Sequence, residues 1–489
     1  MASLEELRAE RVKKLKVLKE KGINPYPIFS AREYEIAEVI VKFKTFEKKK
    51  KPITLAGRVV ALRPQGALVF LNFTDGTGML QAMIKKGDMD EESFALFVDT
   101  VDIGDFIEFV GSVFVTKREE KTILVKKWRM LAKSLRPLPD KWAGLSDVEE
   151  RFRKRYLDTL MSSDVKERFI LRSRIITDIR DFLNKEEYLE VETAMLQQHA
   201  GGATALPFST HHNALDTNLY LRVAPELYLK RLLAGGFPKV YEIGRNFRNE
   251  GIDVTHNPEF TMLEFYESYG DARTAMATVE RLLRHTAKNV FKKTSITHNG
   301  HTIDFSKKFV VVSYFDLLKQ YAHISDPMGM TRDETALSAK RLGIDVAKSD
   351  SREKIFDNIY KKTCRPKLIN PTFIVDYPAH MLPLAKRAES GSEFVDAFQL
   401  VAGGIELAKG FSELNDPIDQ AERFKRQDED RKAGDAEAQT SDTAFLEAME
   451  HGMPPAGGVG IGIERLVMFL TDTRNIREVI LFPTLRPKG

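Results

Sequence analysis

FRNEGIDVTHNPEFTMLEFY (residues 247–266) and GVGIGIERL (residues 458–466) are the two stretches from which the fold can be inferred. The first contains an arginine, a glutamate, a histidine, a phenylalanine and a second glutamate, namely Arg248, Glu250, His256, Phe260 and Glu264. An arginine can bind a carboxylate or a phosphate through two parallel charge-assisted hydrogen bonds. A second arginine beside an aromatic ring can hold a flat base. Together the stretches predict a pocket where a nucleotide and a small carboxylate meet.

Glycines at alternate positions of the second stretch favour a strand over a dinucleotide-binding loop. Gly458, Gly460 and Gly462 follow a period of two. Ile463 stands where the G-x-G-x-x-G motif needs its third glycine. A period of two places the glycines on one face of a strand, where a ligand can approach the backbone closely. We expect Arg465 to follow at the start of the next helix.

The composition is that of a multidomain globular protein. The chain has 489 residues, of which 43% are hydrophobic and 30% charged. No apolar run reaches the roughly 18 residues that span a bilayer, and the N-terminal residues lack the apolar core of a signal peptide. The single cysteine, Cys364, excludes an internal disulfide and a cysteine-rich zinc site. We therefore expect about two to four domains and a cytoplasmic location.

The net charge of +4 is unevenly distributed along the chain. Residues 1–137 contain 26 Lys+Arg against 19 Asp+Glu, so the remainder is slightly acidic. A basic N-terminal part beside an acidic body indicates that the N-terminal part binds a polyanion. The lysine run at 48–51 alone is more typical of a solvated surface.

Five short alternating runs between residues 53 and 131, with Gly and Asp at the turns, predict a small β-barrel. Their number and spacing are typical of the five-stranded oligonucleotide-binding (OB) barrel. Phe70 and Phe73 could provide rings for base stacking, with Arg58 and Arg63 nearby. Aromatic residues in strands are more often part of a core, and the residues alone leave these two alternatives even.

The remaining patterns predict the domain order and an α+β fold. Strands that look antiparallel, mixed with separate helices, argue against a doubly wound sheet. A long amphipathic helix is expected at about 165–187. The expected divisions are a helical extension (1–50), the barrel (51–135), a linker rich in Pro, Gly and Asp (136–150), and a large domain (151–489) with a helical insertion (about 271–370).

These features together resemble the class II aminoacyl-tRNA synthetases. FRNEG is similar to the second motif of that class and GIGIERL to the third, and the closest similarity within the class is to the lysyl-tRNA synthetases. The segments that carry the resemblance are 135–158, 201–216, 219–236, 240–266, 410–417 and 454–472. The resemblance implies an anticodon-binding OB barrel and a catalytic domain built on an antiparallel sheet with flanking helices. It also implies a homodimer that joins lysine to ATP as lysyl-adenylate and then transfers lysine to tRNA(Lys).

The ATP site implied by the resemblance contains Arg248, Glu250, His256, Phe260, Glu406 and Arg465. Arg248 and Arg465 are the implied catalytic residues. Arg248 bridges the lysine carboxylate and the α-phosphate, whereas Phe260 and Arg465 stack on opposite faces of adenine. Mg²⁺ on the ATP phosphates is expected to be held by Glu406 and Gln399.

The implied lysine site contains Gly202, Glu226, Arg248, Glu264, Tyr266, Lys409, Phe411 and Glu413. Glu264, Glu413 and the Tyr266 hydroxyl are expected to bind the ε-amino group. Glu226 and the Gly202 carbonyl are expected to hold the α-amino group. A neutral side chain of similar length would leave two buried acids unpaired, which gives selectivity of roughly 10⁴-fold. In the barrel, Phe70 is expected to stack on an anticodon base, with Arg63 and Gln81 as hydrogen-bonding partners.

Several positions depart from the family pattern, including Ala397 and Gln399, where the family usually has Arg-Phe-Glu over residues 397–399. Ala194 replaces a proline at the dimer interface, Leu206 replaces an arginine, and Lys127 stands where some relatives have a glutamate. Gln399 replaces a carboxylate expected to bind Mg²⁺, so fewer or weaker metal sites are expected. Lys409 replaces an asparagine, and we hypothesise that its charge compensates for the change at Gln399.

Three alternatives stay open at this point. An aspartyl- or asparaginyl-tRNA synthetase shares the architecture, but its substrate needs basic or amide groups where Glu264 and Glu413 stand. A lysine ligase that modifies a protein generally lacks the barrel. A non-catalytic tRNA-binding paralogue is given modest weight by Gln399 and Ala194.

Overall fold

The computed structural model describes residues 3–139, 145–348, 350–389, 392–432 and 441–487. The chain forms two compact units, Met1–Ser146 and Asp147–Gly489. Their boundary falls within the segment expected to be a linker (136–150), of which residues 140–144 lie outside the described residues.

In the part of the first unit that the structure describes, a closed five-stranded barrel is accompanied by four helices. Its elements are α1 (Leu4–Glu20), α2 (Ile36–Val41), α3 (Phe43–Lys49), β1 (Ile53–Gln65), β2 (Leu68–Thr74), β3 (Met79–Lys85), α4 (Glu91–Thr100), β4 (Phe106–Val115) and β5 (Lys121–Ala132). The strands close in the order β1-β2-β3-β5-β4, with only β3 and β5 parallel. This arrangement confirms the expected OB-type barrel. Helix α4 was not expected from the strand pattern.

Side chains alternate between the two faces of β2, and this alternation places Phe70 and Phe73 on opposite faces. Phe73 is 0% exposed and packs edge-on against Phe109, with 4.9 Å between ring centroids. The expectation that Phe73 offers a ring for base stacking is therefore wrong, because this ring belongs to the barrel core. Phe70 lies on the opposite face and is half-buried. The guanidinium of Arg58 packs on the Phe106 ring within the barrel, 4.4 Å from the ring centroid.

The three residues expected to contact the anticodon share the outer face of the barrel. Arg63 is directly opposite Phe70 on the neighbouring antiparallel strand, and Gln81 is opposite Asn72. Cross-strand partners, and residues two apart on one strand, point to the same side of a sheet. Arg63, Phe70 and Gln81 therefore form one continuous patch.

The second unit contains eleven α-helices and fifteen strands in the residues that the structure describes. The helices are α5 (Val148–Arg153), α6 (Arg155–Met161), α7 (Ser163–Lys185), α8 (Glu226–Ala234), α9 (Ala272–Phe291), α10 (Tyr314–Ala322), α11 (Arg332–Arg341), α12 (Arg352–Ile359), α13 (Pro417–Lys432), α14 (Thr443–Glu450) and α15 (Ile463–Leu470). The strands are β6 (Leu189–Glu190), β7 (Leu196–Gln197), β8 (Ser209–His212), β9 (Thr217–Leu221), β10 (Lys239–Phe247), β11 (Glu259–Ser268), β12 (Ser295–His298), β13 (His301–Asp304), β14 (Val310–Ser313), β15 (Thr372–Val375), β16 (Tyr377–Pro378), β17 (Phe394–Val395), β18 (Ala397–Ala402), β19 (Ile405–Ser412) and β20 (Ala456–Gly462). Among the described residues, no helix combines the length and the apolar character that a membrane crossing requires.

An eight-stranded sheet organises this unit in the order β14-β15-β18-β19-β20-β11-β10-β6. Only the outermost pairs, β14 with β15 and β10 with β6, are parallel. The antiparallel centre confirms the expected α+β class. Helices α7, α9 and α15 cover one face, where Leu263 and Phe265 of β11 and Ile461 of β20 are buried. Alternate residues of the same strands therefore point to the opposite face, which is left for a ligand.

The segment 271–370, predicted as a helical insertion, also contributes a helix to the main core and an edge strand to the main sheet. Helix α9 packs into the main core through Ala275, Val279 and Leu283, which recur at helical spacing. Strand β14 is an edge strand of the main sheet. Its four residues are too few to show a strand pattern in the sequence.

Phe73→Ala should lower the free energy of unfolding by about 3–5 kcal/mol, because it leaves a cavity in the barrel core. The matched change Phe70→Ala, on the outer face of the same strand, should cost under about 1 kcal/mol. Urea unfolding of the full chain, followed by circular dichroism, measures both. Equal losses for the two variants would contradict the assigned register.

Candidate active site

A cavity of about 330 Å³ lies on the free face of β19, β20 and β11. Its lining contains every residue expected to bind ATP or lysine, namely Gly202, Glu226, Arg248, Glu250, His256, Phe260, Glu264, Tyr266, Glu406, Lys409, Phe411, Glu413 and Arg465. Gln399, expected as a metal ligand, does not line it.

The glycines of β20 create the floor of this cavity. A Cβ atom at Gly458 would collide with the Glu413 carboxylate and the Tyr266 ring. Gly458, Gly460 and Gly462 all line the cavity, as their period of two predicts. Arg465 follows in the first turn of α15. Glycine is required here because a side chain would fill the space that the acidic residues border.

Three carboxylates are buried together at one end of the cavity. Glu264 is 4% exposed, Glu413 1% and Glu226 8%. The Tyr266 hydroxyl donates a hydrogen bond to Glu264 Oε2 at 2.9 Å. Glu413 and Tyr266 both border Gly458, so Glu264 and Glu413 lie at the same end of the cavity.

Lys230 is a member of this cluster that sequence reasoning missed. Its Nζ donates to Glu226 Oε1 at 2.6 Å and forms an ion pair with Glu413 Oε2. The ammonium also lies 5.4 Å from the centroid of the Phe411 ring. Glu226 and Lys230 are four residues apart on α8 and so share one helix face. The signal in the sequence is that Lys230 falls on the apolar side of α8, next to Leu227 and Leu233.

Burial is the main cause of the raised pKa values of the two acids Glu264 and Glu413, whereas the pKa of Lys230 is set by its carboxylate partners. Burial, with the charge of Glu226 adding to it, raises the pKa of Glu264 to about 8. Burial also raises the pKa of Glu413, although Lys230 opposes the shift. Burial alone would lower the pKa of Lys230, but the two carboxylates beside it raise that pKa above its ordinary value. Lys230 therefore stays charged.

A chain of hydrogen bonds holds Arg465 at the other end of the cavity. Arg465 Nη2 is 2.9 Å from His256 Nε2, and His256 Nδ1 is 2.8 Å from Asp253 Oδ2. A guanidinium can only donate, so Nε2 accepts and Nδ1 donates to Asp253. In this arrangement His256 links Asp253 to Arg465 and orients the guanidinium. Asp253 was also missed, since it lies in an exposed loop without a distinctive pattern.

Arg248 is a half-buried cation whose buried Nε can still bind a ligand. Its guanidinium lies 5.0 Å from the centroid of the Phe260 ring. Its Nε has no hydrogen-bond partner within the described part of the chain. Burial lowers the pKa of Arg248, with Glu250 opposing the shift. An unpaired buried donor is costly, so this group is suited to an incoming carboxylate or phosphate.

Lys409 and Glu406 face the cavity between these two ends. Burial acts to raise the pKa of Glu406. The positive charges of Arg465 and Lys409, among others, outweigh burial and hold this pKa below its ordinary value. Lys409 makes no hydrogen bond and no ion pair within 4.0 Å to any described residue, and burial lowers its pKa. Its ammonium is therefore a cation available to an anionic ligand.

The expected role of Gln399 as a metal ligand does not fit the structure. Its Oε1 accepts hydrogen bonds from the hydroxyls of Tyr360 at 2.6 Å and Tyr377 at 3.1 Å, and the side chain is 8% exposed. This oxygen is already satisfied and lies outside the cavity. Glu406 does fit a magnesium ion, because one carboxylate is enough where phosphates and waters complete the coordination.

Comparisons with known proteins agree with this geometry. A family model described as "tRNA synthetases class II (D, K and N)" matches residues 147–486, and one described as "OB-fold nucleic acid binding domain" matches residues 53–131. The chain is 46% identical to the lysine–tRNA ligase of Pelotomaculum thermopropionicum over 99% of its own length and 96% of the relative's. This chain belongs to the class II lysyl-tRNA synthetase family.

Other lysyl-tRNA synthetases are similar to the same extent. The lysine–tRNA ligase of Carboxydothermus hydrogenoformans is 45% identical, with 99% of each chain covered. That of Methanoculleus marisnigri is 44% identical, with 97% of this chain and 94% of the relative covered. Both units of the chain are therefore included in the similarity to lysyl-tRNA synthetases.

Lys230→Met should lower the free energy of unfolding by about 3–5 kcal/mol, because it leaves buried carboxylates without their cation. Adding Glu413→Gln should restore part of this loss, since one uncompensated charge is removed. Urea unfolding at pH 8, where fewer of the acids are protonated, is the appropriate measurement. A double variant as unstable as the sum of the two single changes would contradict the ion pair.

Proposed function

We propose that the protein attaches L-lysine to tRNA(Lys) in an ATP-dependent reaction that proceeds through lysyl-adenylate. The observation that carries the proposal is the pair of buried acids, Glu264 and Glu413, at one end of a cavity whose other end presents arginines. Similarity to lysine–tRNA ligases over the whole chain supports the same activity.

Arg248 acts at the reacting centre. It binds the carboxylate of lysine and the α-phosphate of ATP, and so brings together two anions that repel each other. A carboxylate oxygen attacks the α-phosphorus, forms the mixed anhydride and displaces diphosphate. The guanidinium is in place before the reaction, so stabilising the developing negative charge requires no reorganisation. A ribose hydroxyl at the end of the tRNA then attacks the carbonyl carbon, and AMP leaves.

Adenine lies between Phe260 and Arg465. The hydrogen bond from Arg465 to His256 holds the guanidinium at the mouth of the cavity, and Glu250 contacts the nucleotide from the same side. Glu406 would hold Mg²⁺, which neutralises phosphate charge when bound. Lys409 contributes a further positive charge next to Glu406 and contacts the phosphates or the substrate carboxylate.

Lysine is selected by its charge. Glu264, Glu413 and the Tyr266 hydroxyl receive the ε-ammonium group, and Phe411 packs on the aliphatic chain. Glu226 and the Gly202 carbonyl receive the α-ammonium group. An aspartate side chain would face three carboxylates, and an asparagine side chain would leave acids without a cation. The aspartyl- and asparaginyl-type alternatives are therefore not favoured.

The barrel binds the anticodon of tRNA(Lys) through its outer patch. Phe70 stacks on one base, while Arg63 and Gln81 donate or accept hydrogen bonds at base edges. The basic excess of residues 1–137 supports binding of a polyanion. We further propose a homodimer and a cytoplasmic location, where tRNA is used. The complete set of cavity residues argues against a non-catalytic paralogue.

ATP–diphosphate exchange with a panel of amino acids tests the activity. Lysine should support exchange, whereas aspartate and asparagine should not. Glu264→Gln should raise the KM for lysine at least about 100-fold through the loss of a charged partner. Glu259→Gln, an exposed change on the same strand, serves as the control and should behave like the parent. Exchange with aspartate in place of lysine would overturn the proposal.

Lys409→Asn should mainly reduce the rate of lysyl-adenylate formation, by about 10–100-fold, because a cation next to the reacting anions is lost. The KM for lysine should change much less. Single-turnover formation of lysyl-adenylate separates the two effects. An unchanged rate in this variant would remove Lys409 from the reaction.

A further inference from the structure

Buried acids in the lysine pocket outnumber buried bases. The carboxylates of Glu226, Glu264 and Glu413 are each less than one-tenth exposed. Among the described residues, the ammonium group in contact with this cluster is that of Lys230, which pairs with Glu226 and Glu413. We propose that lysine enters this pocket in exchange for protons: the free protein carries protons on Glu264 and Glu413, and the ammonium groups of the substrate replace them. This inference rests on the proposed function and deepens it.

The groups around Glu264 do not remove the imbalance. Helix α8 presents Glu226 and Lys230, strand β11 presents Tyr266, and the end of β19 presents Glu413. The residues of the floor strand β20 that line the cavity are three glycines and Val459, none of which carries a charge. Arg248 and Arg222 act from a greater distance, and Arg222 is already paired with Glu242. Two carboxylates are therefore left without a cation of their own.

Unpaired carboxylates in a dry pocket bind protons, because burial penalises the charged form. The pKa of Glu264, raised to about 8, and the raised pKa of Glu413 agree with this argument. Since the pKa of Glu264 lies above neutrality, its carboxyl is mostly protonated at pH 7 in the free protein. It must lose its proton when an ammonium group arrives.

The bound state restores a balance of charge. The α- and ε-ammonium groups of lysine together with Lys230 supply three positive charges, which equal the three carboxylates. The substrate carboxylate is neutralised separately by Arg248. Lys230 thus determines how many substrate ammonium groups the pocket needs, and a mono-cationic amino acid would leave one acid protonated.

Calorimetric titration of the full-length protein with L-lysine at pH 7 measures the exchange. Repeating it in buffers of different ionisation enthalpy gives the number of protons released. At least about one proton per lysine should be released. In addition, affinity for lysine should rise about tenfold per pH unit between pH 6 and pH 7.5. This second measurement needs no variant.

Two acid-to-amide changes in the same cavity provide the comparison. Glu264→Gln should lower the release by about one proton. Glu406→Gln should leave the release unchanged, because the pKa of Glu406 is lowered and this carboxyl is ionised in both states. Saturable lysine binding without proton release, or an equal decrease in both variants, would overturn the inference. Absence of lysine binding would instead overturn the proposed function, and the inference with it.

Discussion

Buried carboxylates require positive charge nearby, and the cavity of the second unit depends on this constraint. Taking a carboxylate out of water costs several kcal/mol unless a cation is near. The structure places three of them at one end of the cavity, where Lys230 is the one cation among the described residues that pairs with them directly, through Glu226 and Glu413. The proposed substrate, lysine, carries two ammonium groups that can pair with the carboxylates that lack a cation.

The strand geometry makes this burial possible. Because side chains alternate across a sheet, β11 sends Leu263 and Phe265 into the core and Glu264 and Tyr266 into the cavity. The glycines of β20 leave the neighbouring space open. Strand β11 therefore contributes to the stability of the domain through one face and to the binding site through the other. A change in its register would affect both stability and binding.

Much of this could be predicted from the sequence because it depends on local periodicity and long motifs. The α+β class, the five-stranded barrel and the strand-to-helix position of Arg465 follow from such patterns. Lys230 could not be assigned, since a lysine four residues after a glutamate is usually a surface pair, and only the folded contacts show its burial. The contacts of Gln399 with Tyr360 and Tyr377 join segments distant in sequence, so they could not be predicted from local patterns either. Phe73 could have been core or surface until the register of β2 was known.

In the proposed function, the buried carboxylates of Glu264 and Glu413 bind the ε-ammonium group of lysine. The most direct test compares the dissociation constants of L-lysine and L-norleucine, which has the same carbon chain without the terminal ammonium group. Lysine should bind about 10⁴-fold more tightly, because norleucine leaves buried acids without their cation. Dissociation constants within tenfold of each other would contradict it.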